Sequence, residues 1–300
     1  MSDGTGPATF SASVCAVVVT YNRIELLECC LDAVVDQTRP VDHILVIDNA
    51  STDGTADMVR TGFPQVELRS LTENQGGAGG FHEGLARAHS LGHDWLWLMD
   101  DDTIPMTDTL ERLLAGAARA PVGRKPLLLS SQVLWKDGSL HPMNNPVPRW
   151  RWLGELALGA ERGLVLVRNA TFVSVAIRRE AIDRFGLPLR HYFLWTDDVE
   201  YTSRVLRRER GYLVPDSRVW HWTTVAHTAV EGADPNRFYY HVRNSLLFLR
   251  GSSYGWLERL DYLRYWVRTL VAFLRAQRWR RAAVLIVFRG LRDGLQGEAR

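Results

Sequence analysis

The sequence predicts an α/β fold in which a mixed, mainly parallel sheet has helices on both faces and is followed by a helical extension. Two observations predict this arrangement. First, apolar runs of strand length alternate with helical patterns over the first hundred residues, in the order β-α-β-α. Second, these runs lack regularly spaced polar positions, which is typical of parallel strands buried on both faces. Helices are therefore expected to cover both faces of the sheet.

Each element of this first part is justified by its local pattern. Val14–Thr20 is an unbroken apolar and β-branched run (VCAVVVT), and residues 24–36 then place Leu27, Leu31 and Val34 at helical spacing. The same alternation predicts a strand at His43–Asp48, a helix started by Ser51, Thr52, Asp53 and Gly54, strands at 66–71 and 95–99, a flexible glycine loop at 76–80, and a helix at 81–91.

The alternation ends near Pro121, and the following part is expected to be less regular. The sequence predicts a strand at 127–134, a loop rich in proline and tryptophan at 142–152, one or two strands within 164–177, a helix at 197–210, and strands at 212–214 and 219–222. No internal repeat or low-complexity linker is present. We therefore expect one α/β domain over residues 1–225 and a helical extension over residues 226–300.

Composition excludes several classes of protein. A chain of 300 residues that is 46% hydrophobic and 23% charged is too apolar to be disordered. Three cysteines without a C-x-x-C pair are typical of neither a disulfide scaffold nor a zinc site. There is no secretory signal and no uncharged apolar run of 18 residues, so a cytoplasmic location is expected.

Charge is distributed unevenly along the chain. Residues 259–300 contain ten arginines and three acidic residues, a local net charge of +7, which leaves −5 for residues 1–258. Within this tail, apolar residues recur at helical spacing, and arginines fall on another face: Leu260, Leu263, Val267, Leu270 and Leu274 against Arg264, Arg268, Arg275 and Arg278.

A basic amphipathic helix of this kind, with aromatic residues beside it, is typical of binding to an anionic membrane surface. We therefore expect residues 260–292 to bind the cytoplasmic face of the cell membrane peripherally. The alternatives are that the helix packs on its own domain or on a second subunit, so an oligomer stays open. Nucleic acid is not expected as a partner, because the body is acidic and no recognition motif is present.

Polar and glycine residues follow four consecutive strands of the predicted sheet. In open parallel sheets, ligands bind outside the carboxyl ends of the strands. The first strand is followed by Thr20 and Asn22, the second ends at Asp48, and the third is followed by Asn74, Gly76 and Gly77. The fourth runs directly into three aspartates. These residues are therefore candidates for one binding edge.

The three aspartates are the strongest single feature of the sequence. Because side chains alternate along an extended chain, Asp100 and Asp102 point to the same side and are able to share a divalent cation. Carboxylates suit Mg²⁺ or Mn²⁺. The alternative is a helix cap or solvated turn. His221 is a candidate third ligand, although a lone histidine in an aromatic strand is usually a core residue; His227 and His241 are weaker candidates.

A second acidic cluster begins the helix predicted at 197–210. Asp197, Asp198 and Glu200 lie within four positions, and such crowding raises carboxyl pKa values and favours a general base. The alternative is that Asp197 caps the helix and the other acids stabilise its first turn. Trp195 and Phe193 beside them are suited to stacking on a sugar.

Five motifs, in this order, resemble those of family 2 glycosyltransferases of the GT-A fold, which is Rossmann-like. They are VVVTYNR (17–23), VIDNASTDGT (46–55), NQGGAGGF (74–81), WLMDDD (97–102) and WTDDVEY (195–201). The resemblance runs from Val14 to about His221. The last three motifs are also similar to those of bacterial galactofuranosyltransferases that build cell-wall galactan, of the type that initiates it.

The resemblance implies an inverting, metal-dependent transfer of galactofuranose from UDP-galactofuranose to a hydroxyl of a polyprenyl-diphosphate-linked glycan. Related rhamnosyltransferases share the first three motifs, so dTDP-rhamnose is the alternative donor. By the same resemblance, the nucleotide base and ribose are held by Thr20, Asn22 and Asp48, and the nucleotide-sugar pocket is lined by Asn74, Gly76, Gly77 and Asp101. The metal ion, Mn²⁺ or Mg²⁺, is bound by Asp100, Asp102 and His221. The general base is Asp198, and Trp195, Asp197 and Glu200 contact the sugar or tune that general base.

Functions of other classes stay open at this stage. A nucleotidyltransferase uses the same kind of sheet and metal but releases diphosphate. A glycosidase needs two carboxylates that flank one bond and no nucleotide pocket. A non-catalytic sugar-binding or membrane-binding protein does not depend on Asp100.

Overall fold

Four parallel strands form the first half of the sheet in a computed structural model of the chain, which describes residues 12–123, 125–224 and 235–297. Their spatial order is β3-β2-β1-β4, and every pair in this half is parallel. The elements are β1 (Val14–Thr20), α1 (Ile24–Val35), β2 (His43–Asp48), α2 (Thr55–Gly62), β3 (Glu67–Ser70), α3 (Gly76–Leu91) and β4 (Trp95–Asp100). The alternation of strands and helices predicted for this half is confirmed, apart from the start of α3.

The second half of the sheet is mixed. The sheet continues from β4 through β9, β6, β10 and β8 to β7, and β5 pairs separately with β10. Only the β10–β6 pair is parallel here. The elements are β5 (Thr103–Pro105), α4 (Thr109–Arg119), β6 (Leu128–Leu134), β7 (Val147–Pro148), α5 (Leu153–Ala160), β8 (Val165–Asn169), β9 (Val175–Arg178), α6 (Arg179–Phe185), a 3-10 turn (Arg190–Tyr192), α7 (Asp197–Val205) and β10 (Gly211–His221).

The alternation of side chains along β1 produces two hydrophobic cores, one on each face of the sheet. Val14, Ala16 and Val18 pack with residues of α1 and α4, whereas Cys15, Val17 and Val19 pack with residues of α3 and α7. Every residue of β1 is buried. An apolar run without polar positions is therefore explained by helices on both faces, as the sequence predicted.

Three helices form the C-terminal region: α8 (Pro235–Arg250), α9 (Trp256–Ala276) and α10 (Arg281–Gln296). They share a core of their own, built around Phe238, Val242, Trp266, Phe273 and Val287. The helical extension is thus confirmed, while the expected boundary at residues 225–226 lies outside the described residues. Among the described helices, none is both long and apolar enough to cross a membrane.

The predicted amphipathic face of the tail is divided between two environments. Leu270 and Leu274 pack against the helical core. Leu260, Leu263 and Val267 remain exposed on α9. Contacts to the α/β domain are also present, since Arg168 and Arg151 form ion pairs with Glu258 and Asp261 of α9. The tail therefore packs partly on its own helical core and on the α/β domain, which was one of the alternatives. Part of the apolar face of α9 stays exposed.

Three local predictions are corrected by the structure. Residues 76–80 are not a flexible loop but the first turns of α3, because their glycines let the helix approach β1 closely. The strands predicted at 212–214 and 219–222 are one strand, β10, with a register shift between Val214 and Arg218. The helix predicted at 197–210 ends at Val205.

The close approach of α3 to the sheet gives a stability prediction. A Cβ atom on Gly84 would lie 2.5 Å from Cγ1 of Val17 and 3.2 Å from Cγ1 of Ile47, and both of these side chains are fully buried. We expect Gly84→Ala to lower the free energy of unfolding by about 1–3 kcal/mol through overpacking, as measured by chemical denaturation. The matched control is Gly62→Ala in α2, where no atom lies within 4 Å; equal stability of the two variants would contradict the prediction.

Candidate active site

A cleft of about 460 Å³ lies at the carboxyl ends of β1, β2 and β4. Parallel strands place the residues that follow them at one edge of the sheet, so segments far apart in sequence meet here. The lining comes from the strand ends, the start of α3, the segment before α7 and the start of α8: Val19, Thr20, Tyr21, Arg23, Asn49, Asn74, Gly76, Gly77, Phe81, Asp100, Asp101, Asp102, Met143, Phe172, Phe193, Leu194, Trp195, Asp197, Asp198, His221, Thr223, Arg237 and Tyr240.

Three carboxylates at the end of β4 dominate the electrostatics of this cleft. Arg23 is their nearest cation, with Nη1 at 3.1 Å from Asp101 Oδ1 and 2.6 Å from Asp102 Oδ2. Thr20 Oγ1 also donates to Asp101 Oδ2, at 2.8 Å. The Arg23 guanidinium thus pairs with Asp101 and Asp102, and both of these carboxylates are buried.

The three carboxyl groups differ in pKa because their partners differ. Burial, and then repulsion by the other two aspartates, raises the pKa of Asp100 well above its usual value. Burial outweighs the nearby Arg23 at Asp101 and raises its pKa to about 6. At Asp102 the effect of burial is exceeded by the hydrogen bond to His221 and the charges nearby, and the pKa falls to about 2.

His221 reaches the aspartates through the pairing of β5 with β10. The antiparallel register places His221 opposite Thr103, the residue after Asp102. His221 Nδ1 lies 2.8 Å from the amide oxygen of Asn144, so Nδ1 carries the proton and donates it. His221 Nε2 then faces Asp102 Oδ1 at 3.0 Å, an arrangement of two lone pairs that is stable with a proton or a metal ion between them.

These residues fit a divalent metal. Asp100, Asp102 and His221 each offer one ligand atom, and these atoms lie within 4.8 Å of one another. Two carboxylates and an imidazole suit Mn²⁺, and carboxylates with water suit Mg²⁺. Asn144 provides the outer hydrogen bond that orients a ligating histidine, and Asn144 itself donates to Thr171.

A second acidic pair faces the cleft from the start of α7. Burial, followed by repulsion from Asp198, raises the pKa of Asp197 well above its usual value. Burial also raises the pKa of Asp198, to about 6, although the backbone N–H of Val199 donates to its carboxylate at 2.7 Å. Asp198 is therefore ionised at neutral pH and is more basic than an ordinary aspartate.

The glycine-containing motif forms the wall between β2 and α7. Asn74 Oδ1 accepts from the N–H of Gly76 at 2.8 Å, and Asn49 Nδ2 donates to the Gly76 carbonyl at 3.2 Å. Gly76 has φ +70°, and a Cβ atom there would lie 2.0 Å from the carbonyl oxygen of Phe193. Only glycine fits this position.

Most residues predicted from the sequence line the cleft, and three do not. Asn22 and Asp48 lie beside it and hold the loop after β2: Asn22 Oδ1 accepts from the N–H of Thr52, and Asp48 Oδ1 from that of Ser51. Glu200 is behind the cleft, where it pairs with Arg204 and accepts a hydrogen bond from Ser253. The expectation that Glu200 contacts sugar or tunes the base stays a prediction, although these contacts hold its carboxylate outside the lining of the cleft.

Sequence reasoning missed several residues of the site. Arg23 and Asn49 follow the predicted strands β1 and β2, so their positions after these strands could have marked them as residues of the binding edge. Asn144 lies in an irregular loop, and Arg237 and Tyr240 lie on α8; no local pattern marked them. His241 is buried in the helical region, where burial lowers its pKa to about 4, and it is not grouped with the aspartates. His227 lies outside the described residues.

The Trp-rich segment predicted as a loop borders a different cleft. This second cleft has a volume of about 430 Å³ and lies between residues 147–152 and the start of α9. Trp150 and Trp256 are both exposed at its edge. It contains none of the residues predicted for the site.

Solved structures place this architecture in a known class. TarS from S. aureus in complex with UDP-GlcNAc superposes with a TM-score of 0.65 at 15% identity, covering 95% of this chain and 81% of that chain. The mannosyltransferase PcManGT from Pyrobaculum calidifontis in complex with GDP-Man and Mn²⁺ has a TM-score of 0.56 at 19% identity, covering 97% and 89%. At such identities the likeness concerns the fold alone, and this fold is that of the GT-A glycosyltransferases.

Sequence comparison then identifies the family. The sequence model of Glycosyl transferase family 2 matches residues 15–185, more than half of the chain. The chain belongs to glycosyltransferase family 2.

Two curated relatives show which members of the family the chain is similar to. Galactofuranosyltransferase GlfT1 of Mycolicibacterium smegmatis is 36% identical over 208 residues, 66% of this chain and 67% of the relative. N-acetylglucosaminyl-diphospho-decaprenol L-rhamnosyltransferase of Mycobacterium tuberculosis is 26% identical over 271 residues, 80% of this chain and 85% of the relative.

Proposed function

We propose that this glycosyltransferase moves galactofuranose from UDP-galactofuranose to a hydroxyl of a polyprenyl-diphosphate-linked cell-wall glycan, with inversion and with a divalent metal. The observation that carries the donor sugar is the relationship to galactofuranosyltransferase GlfT1. The lipid-linked acceptor rests on the original motif resemblance and on the name of the rhamnosyltransferase relative, which acts on a diphospho-decaprenol. The reaction itself rests on the family and on the acidic groups of the cleft.

The donor is assigned to the part of the cleft between β1, β2 and α3. Thr20 reaches the cleft directly, whereas Asn22 and Asp48 act by holding the loop that contacts the base and ribose. Asn74, Gly76 and Gly77 approach the diphosphate and sugar from the start of α3, where the helix dipole favours anions. Asp101 limits the other side of this pocket.

Asp100, Asp102 and His221 are assigned as the residues that hold Mn²⁺ or Mg²⁺. When bound, the ion supplies positive charge to the diphosphate of the departing nucleotide. The chain prepares for this by placing two carboxylates and one imidazole nitrogen together. Asn144 holds the imidazole with Nε2 towards Asp102, and Arg23 holds the other oxygen of that carboxylate.

Asp198 is assigned as the general base. As the acceptor oxygen forms its bond to the anomeric carbon, its proton passes to Asp198, and the bond from that carbon to the diphosphate oxygen breaks with its electron pair. Attack from the side opposite the leaving group gives inversion. Phe193 and Trp195 border the cleft beside this carboxylate, so they are suited to hold the sugar against it.

A rhamnosyltransferase that uses dTDP-rhamnose is the second candidate, and the 26% identity over most of the chain to such an enzyme favours it. The test is to incubate the full chain with Mn²⁺, a synthetic polyprenyl-diphosphate glycan, and either UDP-galactofuranose or dTDP-rhamnose. Mass spectrometry then separates addition of a hexose from addition of a deoxyhexose. Release of inorganic diphosphate, with nucleotide joined to the acceptor, would instead identify a nucleotidyltransferase.

The metal assignment gives a prediction on Mn²⁺ binding. We expect Asn144→Leu to weaken Mn²⁺ binding about 10–100-fold, because His221 loses the acceptor that orients it, and His221→Ala to weaken it further. The free Mn²⁺ signal in electron paramagnetic resonance, recorded with UDP present, measures this. His89→Ala is the control, since His89 pairs with Asp183 elsewhere; wild-type affinity in His221→Ala would rule out the site.

The base assignment gives a prediction on turnover and on its pH dependence. Asp198→Asn is expected to lower kcat about 10²–10⁴-fold, since the amide accepts no proton. The base acts only when ionised, so wild-type kcat should fall about tenfold per pH unit as the pH drops below about 6, the pKa of Asp198. Steady-state kinetics from pH 5 to 8, a range of about three units around that pKa, measures both effects.

The matched control for this variant is Asp57→Asn on the exposed surface of α2, where the carboxylate pairs only with Arg60 at the surface. Its kcat should equal that of the wild type. Asp198 would lose its role if Asp198→Asn kept both the turnover and the acidic limb of the profile.

The exposed apolar surface of α9 and α10 is assigned to peripheral binding at the cytoplasmic face of the membrane, where a lipid-linked acceptor is located. Its exposed large apolar side chains, among the described residues, are Trp256, Leu257, Leu260, Leu263, Tyr265, Val267, Trp279, Val284, Leu285, Phe288 and Leu295. Exposed arginines lie among them at positions 264, 268, 275, 278, 280, 281 and 289. Apolar and cationic side chains together favour anionic lipid.

This surface predicts that the protein floats with phosphatidylglycerol vesicles and less with phosphatidylcholine vesicles. Replacing Leu285 and Phe288 of α10 by serine should reduce flotation severalfold, because both side chains are exposed and unable to stabilise the core. Leu153→Ser, on the exposed side of α5, is the control. Equal flotation of all variants, or none with either lipid, would exclude this surface.

A further inference from the structure

The segment that delivers the acidic pair to the cleft has an unusual backbone. Residues 192–198, the base loop, connect the 3-10 turn to α7. Phe193, Trp195 and Thr196 have φ values of +62°, +63° and +72°, a region that residues other than glycine rarely adopt. Such a conformation persists only where surrounding contacts determine it, so the contacts that fix this loop also fix the position of Asp198.

Asn244 of α8 supplies the main contacts to this loop. Its side-chain Nδ2 lies 2.9 Å from the carbonyl oxygen of Tyr192 and 2.8 Å from those of Leu194 and Trp195, so its two N–H groups are shared among three main-chain acceptors. The side chain is completely buried, so water does not compete for these bonds. One amide group thus holds both sides of the turn at Phe193.

The neighbouring Arg243 extends the same contact. Its Nη2 donates to the carbonyl oxygens of His191 at 2.6 Å and Tyr192 at 2.9 Å, and its Nε donates to Asn244 Oδ1 at 2.9 Å. The last bond orients the Asn244 amide so that Nδ2 faces the loop. Arg243 is also completely buried. Two adjacent residues of α8 therefore collect the carbonyl groups of residues 191, 192, 194 and 195.

The opposite side of the loop is fixed by α3 and by stacking. The N–H of Ala78 donates to the Phe193 carbonyl at 3.1 Å, and the Phe193 ring stacks on Tyr240 of α8, with centroids 5.1 Å apart. Phe193, Leu194 and Trp195 all line the cleft. The base loop is therefore held between the start of α3 and α8.

We propose that Asn244 is a positioning residue of the transferase. It holds the base loop in its left-handed conformation, and so places Asp198 and the Phe193–Trp195 wall at the reacting bond. One of the C-terminal helices, α8, then positions groups of the active site, in addition to the membrane surface proposed for α9 and α10. This inference rests on the proposed role of Asp198 as the base.

Replacement of Asn244 by alanine or by aspartate separates positioning from packing. Aspartate has nearly the same shape but no N–H donor, and its carboxylate would face three carbonyl oxygens. Hydrogen exchange followed by mass spectrometry requires no substrate. We expect the amides of Phe193 and Leu194 to exchange about tenfold faster or more in both variants, while β1 and α10 exchange as in the wild type.

Activity supplies the second measurement. With UDP-galactofuranose, Mn²⁺ and the synthetic acceptor, both variants should lose about 10²-fold in kcat, while the affinity for UDP, measured by calorimetry, changes less than threefold. Ser245→Ala is the control, because this adjacent buried hydroxyl contacts Tyr262 within the helical region and not the loop. It should keep wild-type exchange in the loop and wild-type kcat.

Wild-type exchange at Phe193 and Leu194 in Asn244→Ala, or full kcat in Asn244→Asp, would overturn the proposal. If Asn244→Ala does not fold, Asn244→Ser, which keeps one donor, is expected to show intermediate exchange and kcat. Faster loop exchange in the Asn244 variants, together with a wild-type protein that transfers no galactofuranose, would overturn the proposed donor but support the role of Asn244 in holding the loop. Full turnover in Asp198→Asn would remove the base and, with it, the positioning role.

Discussion

The arrangement of the site depends on three carboxylates placed at the end of a buried strand. β4 is apolar and buried up to Met99, and the chain then presents Asp100, Asp101 and Asp102 where solvent is already limited. Three neighbouring carboxylates repel one another, and this repulsion is unfavourable unless positive charge or hydrogen-bond donors lie beside them. Arg23 comes from the loop after β1, and His221 comes from the end of β10. The surrounding topology is therefore a means of bringing partners to this point.

Asp102 and Asp198, one from each acidic cluster, differ in pKa because their surroundings differ. Asp102 has two cationic or donor partners and a low pKa, which suits a group that stays ionised and binds a cation. Asp198 has only backbone donors, and burial raises its pKa to about 6, which suits a group that accepts a proton near neutral pH. Within the first cluster only Asp102 has this low pKa, because both of its carboxylate oxygens have a partner, whereas burial raises the pKa of Asp100 and Asp101.

The parts of the fold that the sequence predicted are those with local signals. Apolar runs marked β1, β2 and β4, and side-chain alternation put Asp100 and Asp102 together. The α3 start was mistaken for a loop because glycine is a poor helix former, and the favourable close packing of Gly80 and Gly84 on β1 is a tertiary effect. β5 has three residues and a proline, so it gave no strand pattern, yet its register brings His221 to the aspartates. Asn144 and Asn244 act across long separations, and no local pattern reports such contacts.

The basic residues of the C-terminal helices lie in two different environments. Most arginines of α9 and α10 are exposed at the surface. The helix α8 instead places two buried residues, Arg243 and Asn244, against the base loop. An arginine that is completely buried needs oxygen acceptors around it. The carbonyl groups of His191 and Tyr192, in the 3-10 turn that leads into the base loop, provide them. The buried charge of Arg243 and the amide of Asn244 therefore stabilise the unusual backbone of the base loop, and these contacts join the helical region to the wall of the cleft.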